Sequence, residues 1–269
     1  MALPNLALRL ISAVIALPLV AALILWRQPW GFGALVLVVA GLALCEYTAI
    51  ALAGADRRLR IGVIAIGLGL AAVLYAWPGL AVVWVLAAFV ATAALVLFEP
   101  GDIPGAGARL GVAAFGVFYL GLLCPPMAIM QRDAPHGRAW VMLAIALTFS
   151  NDTGAYFAGR ALGRHKLYPA VSPAKTVEGA VGGMLAGLLV ILGARATLVP
   201  WLTLRDCLLA ALPAGVIGPI GDLVESLIKR AFGVKDSGKL IPGHGGMLDR
   251  IDALLFVSAW LYVYSLYLR

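Results

Sequence analysis

Charge is scarce in this chain. Only 12% of its 269 residues are Asp, Glu, Lys or Arg, about half the share of an ordinary soluble domain, which excludes a conventionally hydrated surface. The three cysteines, Cys45, Cys124 and Cys207, all lie in or beside apolar runs. With no Cys-x-x-Cys and no Cys/His pair at ligand spacing, they exclude a zinc finger or a disulfide framework and read as packing residues. Two of the three histidines, His136 and His165, stand in loops without a ligand partner and are assigned no role. The pattern GxxxxGK[ST] is absent and no GxGxxG opens a helix after a strand, so neither a P-loop nor a dinucleotide-binding fold is indicated.

What the chain has in quantity is apolar surface, with 63% hydrophobic residues and a mean hydropathy of +1.00. This is the composition of an integral membrane protein. A hydrocarbon core about 30 Å thick needs about 20 apolar residues per helix. The polar breaks leave candidate spans at 7–26, 31–53, 61–77, 80–98, 109–131, 138–158, 176–194, 206–229 and 250–268. These runs are apolar all round rather than at alternate positions, which excludes a transmembrane barrel and predicts an all-α, polytopic helical bundle of about nine spans. No sizeable soluble domain is left over. Residues 1–135 are expected to supply lipid-binding and packing helices, and residues 136–269 the catalytic region. The first run reads as a retained helix, not a signal peptide: it exceeds a usual h-region, Arg27 follows it, and no small-residue cleavage site precedes Trp26.

Alternating the sides of nine spans places about 14 of the 20 Lys and Arg residues on the side of the N-terminus. That bias predicts a cytoplasmic N-terminus and an external C-terminus; the membrane expected is a bacterial inner or plasma membrane. The net charge of +7 then faces anionic lipid head groups and nucleotides, and no nucleic-acid partner is expected.

Two polar segments interrupt the apolar pattern. In the first, Ser150 to Gly183, Asp152 lies at depth within an apolar helix. An ionised carboxylate costs about 2.5–3.5 kcal/mol there on insertion scales unless a cavity, cation or partner receives it. Asp222 repeats the argument in a later helix, after Gly218-Pro219-Ile220-Gly221, a run that predicts irregular backbone at membrane depth. Asp222, Glu225, Ser226 and Lys229 recur at helical spacing and form one polar stripe, within which an intrahelical Glu225–Lys229 pair is the simplest account of two members. The second segment, Ser226 to Asp252, carries Lys229, Arg230, Lys235 and Lys239 for an anion, a Pro-Gly-His-Gly-Gly turn around His244, and Asp249 and Asp252 three apart at a helix start. Anion donors and cation ligands side by side suit a metal-bound polyphosphate.

The order and spacing of that second segment resemble the signature of the phosphatidate cytidylyltransferases, also called CDP-diacylglycerol synthases. Ser226, Lys229, Arg230, Lys235, Asp236, Gly238, His244, Gly245, Gly246, Asp249, Arg250 and Asp252 all meet the pattern. The similarity extends through Gly221-Asp222-Leu223-Val224-Glu225, through Ser172-Pro173 and Lys175-Thr176, through Asp152-Thr153-Gly154-Ala155-Tyr156, and less diagnostically to Arg9-Leu10-Ile11-Ser12-Ala13 and Glu46-Tyr47. One departure is Ala174, where many relatives carry the first of two lysines. The resemblance implies CTP and phosphatidate as substrates, CDP-diacylglycerol and pyrophosphate as products, and Mg2+, with room for a second cation. It implies Asp222 and Asp249 as principal metal ligands, supported by Asp152 and Asp252, and catalytic roles for Lys239, Arg250 and His244. Lys175, Ser226, Lys229, Arg230, Lys235, Gly245 and Gly246 would bind the phosphates. Oligomeric state stays open, a homodimer included.

Two other functions share some of these features. A CTP-dependent kinase of polyprenol or another lipid alcohol would transfer a γ-phosphoryl group instead. A cation-coupled transporter can also carry intramembrane carboxylates and broken helices, but does not require a lysine-rich loop ending in paired aspartates, and no inverted repeat is visible. The topology is testable directly: reporters fused after Gly163 and after Gly238 are both expected in the cytoplasm, and one fused after Arg269 outside. Opposite locations for the first two would overturn a shared site.

Overall fold

The computed structural model describes residue 14 and residues 17–238, 240 and 245–269. It is a helical protein. Residues 17–25 form α1. They are followed by α2 (Trp30–Ala51), α3 (Arg57–Ala76), a 3-10 turn at Pro78–Leu80, α4 (Ala81–Phe98), α5 (Ile103–Leu123), α6 (Pro125–Asp133) and α7 (Gly137–Leu162). A short hairpin of β1 (Lys166–Tyr168) and β2 (Ser172–Thr176) precedes α8 (Val177–Thr197), α9 (Leu204–Ala231), α10 (Leu248–Val263) and a π-turn at Tyr264–Leu268.

Among the described residues, seven helical stretches are long and apolar enough to cross a membrane: Trp30–Ala51, Arg57–Ala76, Pro78–Phe98, Ile103–Asp133, Val177–Thr197, Leu204–Ala231 and Leu248–Leu268. The expected span at 7–26 falls largely outside the described residues. The one at 138–158 is helical, but Ser150, Asn151, Asp152 and Thr153 interrupt its apolar run, so α7 lacks the composition of the other seven. Large apolar side chains such as Val82, Leu97, Phe98, Leu189 and Leu198 are exposed, as befits surfaces that meet lipid instead of water.

The chain divides into two compact units: the described residues up to Ile129 with those of 232–249, and 130–231 with 250–269. In the first, Leu59, Val63, Leu70, Leu74, Val96 and Val117 belong to a buried cluster. Small residues let its helices approach closely. A Cβ on Gly121 would lie 2.6 Å from the carbonyl oxygen of Gly67, and the Tyr47 hydroxyl donates to the Val112 carbonyl at 2.8 Å.

In the second unit α7 and α8 pack through glycines. A Cβ on Gly154 would lie 2.9 Å from the Gly182 carbonyl, and one on Gly179 would lie 2.9 Å from that of Ala155. The hairpin between these helices, unforeseen within an all-α reading, is antiparallel, with Lys166 paired to Thr176 and Tyr168 to Ser172. Its base is tied to the start of α8. Thr176 caps that helix by accepting from Gly179 N–H at 3.1 Å. The Glu178 carboxylate accepts from the backbone N–H of Arg164 (3.1 Å) and His165 (3.2 Å) and meets His165 Nδ1 at 2.6 Å. His165 thus has a structural partner that its loop position did not reveal. His136 also has one, its ring stacking on Trp201 at 4.3 Å.

The irregular backbone expected at Gly218-Pro219-Ile220-Gly221 is absent, because α9 runs as a 28-residue helix with Pro213 and Pro219 inside it. A proline leaves the carbonyl four residues earlier without its helical donor. For Pro213 that carbonyl belongs to Leu209, and the indole Nε1 of Trp260 on α10 donates to it at 2.9 Å. A neighbouring helix therefore satisfies the group freed within α9. At the start of α9, buried Asp206 accepts from the Thr203 N–H (2.7 Å) and the Tyr264 hydroxyl (2.6 Å) and faces Arg269 Nε at 3.4 Å.

The proline repair generates a double-mutant test. Trp260→Phe is expected to destabilise the detergent-solubilised protein by about 1–3 kcal/mol, the cost of a carbonyl left without a donor in apolar surroundings. Combined with Pro213→Ala, whose restored N–H can reach Leu209, the same change is expected to cost clearly less. Equal losses in both backgrounds, measured by thermal unfolding, would refute this pairing.

Candidate functional site

In the second unit a cavity of about 400 Å³ is lined by Asn151, Asp152 and Tyr156 of α7, Lys175 of β2, and Pro219 and Asp222 of α9, among others. Three elements from separate parts of the sequence place their polar residues there. Asp152 sits in the second half of α7, after the run that makes its apolar half. Lys175 arrives on the strand that returns from the hairpin turn, one residue before the cap of α8. Its Nζ lies 2.6 Å from Asp222 Oδ2, while the Ser226 hydroxyl approaches Asp222 Oδ1 at 3.4 Å. One turn further along α9, Lys229 Nζ and Glu225 Oε2 are 2.5 Å apart, with the Glu225 side chain fully buried.

The polar stripe read from the spacing of Asp222, Glu225, Ser226 and Lys229 is therefore present, and its intrahelical ion pair forms. Lys229 consequently faces a carboxylate that compensates its charge. Gly221 lets α10 come close, since a Cβ there would lie 2.7 Å from the Asp252 carbonyl oxygen. The Asp252 side chain accepts from the adjacent Ala253 N–H at 2.7 Å. Arg230 and Arg250 are exposed.

A second polar cluster belongs to the first unit. Asp249 Oδ2 accepts from the Ser237 N–H (3.0 Å), the Ser237 hydroxyl (2.8 Å) and the Gly246 N–H (2.9 Å). Beside it the carboxylate of Glu46, from α2, accepts from the backbone N–H of Met247 at 2.9 Å and of Leu248 at 2.9 Å. The Ser237 hydroxyl also lies 3.1 Å from Glu46 Oε2. A hydroxyl has a single hydrogen, so Ser237 donates to one of the two carboxylates at a time.

Glycine is required at two positions in this cluster. Gly245 has φ +84, a backbone conformation that favours glycine. At Gly246 a Cβ would overlap the Ser237 hydroxyl and come within 2.5 Å of Glu46 Oε2. The Gly246 N–H is engaged by Asp249, not turned outward. Lys235 is exposed, and Lys239 and His244 lie outside the described residues.

Sequence reasoning did not assign roles to Ser237, Asn151, Tyr156 or Thr176, and noted Glu46 only as part of a resemblance. Glu46 could have been found by the argument applied to Asp152, since it too is a carboxylate inside an apolar helix. Ser237 carried no such signal; its importance lies in the fold that brings Asp249 over it.

Among the described residues, no group of three or more His, Cys, Asp and Glu side chains could hold a metal ion by itself. Those residues alone do not make a dedicated protein cage. Mg2+ commonly takes one or two carboxylates and completes its octahedron with water and substrate phosphate, and Asp152 and Asp222, which line the same cavity, fit that shared mode.

Comparison of the whole chain decides the family, because a sequence model described as "Cytidylyltransferase family" matches residues 7–268. The chain belongs to that family. Among relatives, a phosphatidate cytidylyltransferase of Brucella suis biovar 1 is 42% identical over 158 residues, covering 58% of this chain and 57% of the relative. The Bacillus subtilis protein of the same name is 41% identical over 157 residues, 57% of each chain. That of Staphylococcus saprophyticus is 46% identical over 151 residues, 56% of this chain and 58% of the relative. The matched stretch thus spans rather more than half the length of these cytidylyltransferase relatives.

The ion pair in the cavity can be tested by a cycle of Lys175→Met and Asp222→Asn. Because both side chains are partly exposed, at 24% and 32%, the expected coupling is modest, about 0.5–1.5 kcal/mol in thermal stability. Strictly additive single changes would show that the two residues do not act as a pair.

Proposed function

We propose that this protein is a phosphatidate cytidylyltransferase, joining the cytidylyl group of CTP to phosphatidate and releasing pyrophosphate. The observation that carries the reading is the family match over residues 7–268, supported by the name that the relatives share. In the reaction a phosphate oxygen of phosphatidate attacks the α-phosphorus of CTP. A new phosphoanhydride bond forms, the bond from that phosphorus to the bridging oxygen breaks, and the electron pair leaves with pyrophosphate. Phosphatidate is already anionic at neutral pH, so no general base is needed.

What the protein must do is gather several negative phosphates and hold attacking and leaving oxygens in line. Lys175, poised over Asp222 in the cavity, suits a phosphate contact. Ser226, Lys229, Arg230, Lys235, Lys239 and Arg250 add donors, Gly245 and Gly246 shape the turn that follows, and His244 serves as a hydrogen-bond donor or loop-shaping residue. Asp222 and Asp249, supported by Asp152 and Asp252, would hold Mg2+, which when bound supplies positive charge that offsets the developing phosphate charge. The bias of basic residues supports a cytoplasmic side for these segments, and the bacterial origin of the relatives supports a bacterial inner or plasma membrane as the location.

Purified protein in detergent, given labelled CTP and phosphatidate with Mg2+, is expected to yield CDP-diacylglycerol and pyrophosphate. Asp222→Asn and Asp249→Asn are expected to lose most of that activity while still inserting and folding. Phosphorylated lipid and CDP would identify the lipid-alcohol kinase instead. No nucleotidyl transfer with any divalent ion would overturn the proposal.

A further inference from the structure

We propose that Glu46 is a positioning residue for nucleotidyl transfer, acting through Ser237 and the glycine turn on Asp249; the inference rests on the function proposed above. Glu46 lies within α2, five positions before the helix ends at Ala51. A charged side chain inside an apolar helix is costly unless received. Here the receiver is the start of another helix. Leu248 opens α10, and its N–H is among the donors that an α-helix leaves unsatisfied at its N-terminus. Glu46 takes that N–H with Oε2 and the preceding Met247 N–H with Oε1, where the helix dipole favours negative charge.

The partners are 201 and 202 residues away in sequence. The bond to Ser237 spans 191 residues. Glu46 is thus a long-range tie for this segment. Through Ser237 it reaches Asp249, which accepts from both the amide and the hydroxyl of that serine. A Cβ on Gly238 would lie 2.6 Å from Glu46 Oε1, so the backbone passes directly against the carboxylate. Glycines lose more freedom on ordering than other residues, and a carboxylate with two acceptor oxygens can meet Ser237 and the amides of Met247 and Leu248 at once.

The chemistry ranks the variants. Asp keeps two acceptors at a shorter reach. Gln keeps the length but substitutes an NH2 for one oxygen, presenting a donor to a backbone N–H. Glu46→Asp is therefore expected to retain more function than Glu46→Gln, although Gln is closer in size.

The test uses the whole protein in detergent, reading hydrogen exchange of residues 232–249 without added nucleotide, and separate CTP and phosphatidate kinetics. Glu46→Gln is expected to accelerate exchange in 232–249 and lower kcat/KM for CTP about 10-fold or more, the scale of lost supporting contacts. The KM for phosphatidate should change by less than about 2-fold, and Glu46→Asp should recover part of the loss. Ser237→Ala reads the same chain from the other end and should reproduce the CTP defect more mildly. Wild-type exchange and kinetics in Glu46→Gln would overturn the proposal. So would faster exchange across all helices together with a normal Ser237→Ala. A wild-type protein inactive on CTP and phosphatidate refutes the parent function, and with it a catalytic role for Glu46.

Discussion

Hydrocarbon offers no hydrogen bonds, and each backbone or side-chain polar group left alone in it costs several kcal/mol. Most of the particular contacts in this protein answer that constraint. Buried Thr48, Thr92 and Thr148 turn their hydroxyls back onto carbonyls of Leu44, Ala88 and Ala144 in their own helices. Tyr47 and Trp260 reach carbonyls on other helices. The carboxylates follow the same logic at higher stakes, with Asp206 surrounded by donors, Glu225 and Asp222 each facing a lysine, and the Glu46 carboxylate received by the first amide of α10.

Close packing supplies the geometry that these bonds need. Where α7 meets α8, glycines replace the side chains that would hold the backbones apart, and the helices carry Asp152 and the hairpin base at fixed separation. The hairpin itself is short. It holds its position because Glu178 gathers the amides at its entrance and Thr176 caps the helix at its exit. Lys175 is thereby held by bonds at both ends of an otherwise exposed excursion.

The helical class and the polar segments were legible because their signals are local: long apolar runs, charges inside them, and acid–base spacing along one helix. The Glu225–Lys229 pair is such a case, readable from four-residue spacing alone. The hairpin was not, since its strands are three and five residues long and lack alternating apolar positions. The unbroken course of α9 through its two prolines also escaped, because the repair of a proline-freed carbonyl, as at Leu209 before Pro213, depends on a tryptophan of another helix. Glu46 and Ser237 are further apart still. Their link is a property of the fold, and only the cost of a carboxylate in an apolar helix hinted at one end of it.

The uninterrupted length of α9 sets a depth scale. Its 28 residues extend roughly 42 Å at about 1.5 Å per residue, against a hydrocarbon core of about 30 Å. Centred on that core, the helix projects about 6 Å into the head-group layer at each end. Lys229 then stands among head groups, whereas Asp222, nine positions before Ala231, lies roughly 7 Å inside the boundary. A lipid phosphate meeting the Lys175–Asp222 pair would sink by about one helical turn, and a water-borne ligand would have to descend to the same level.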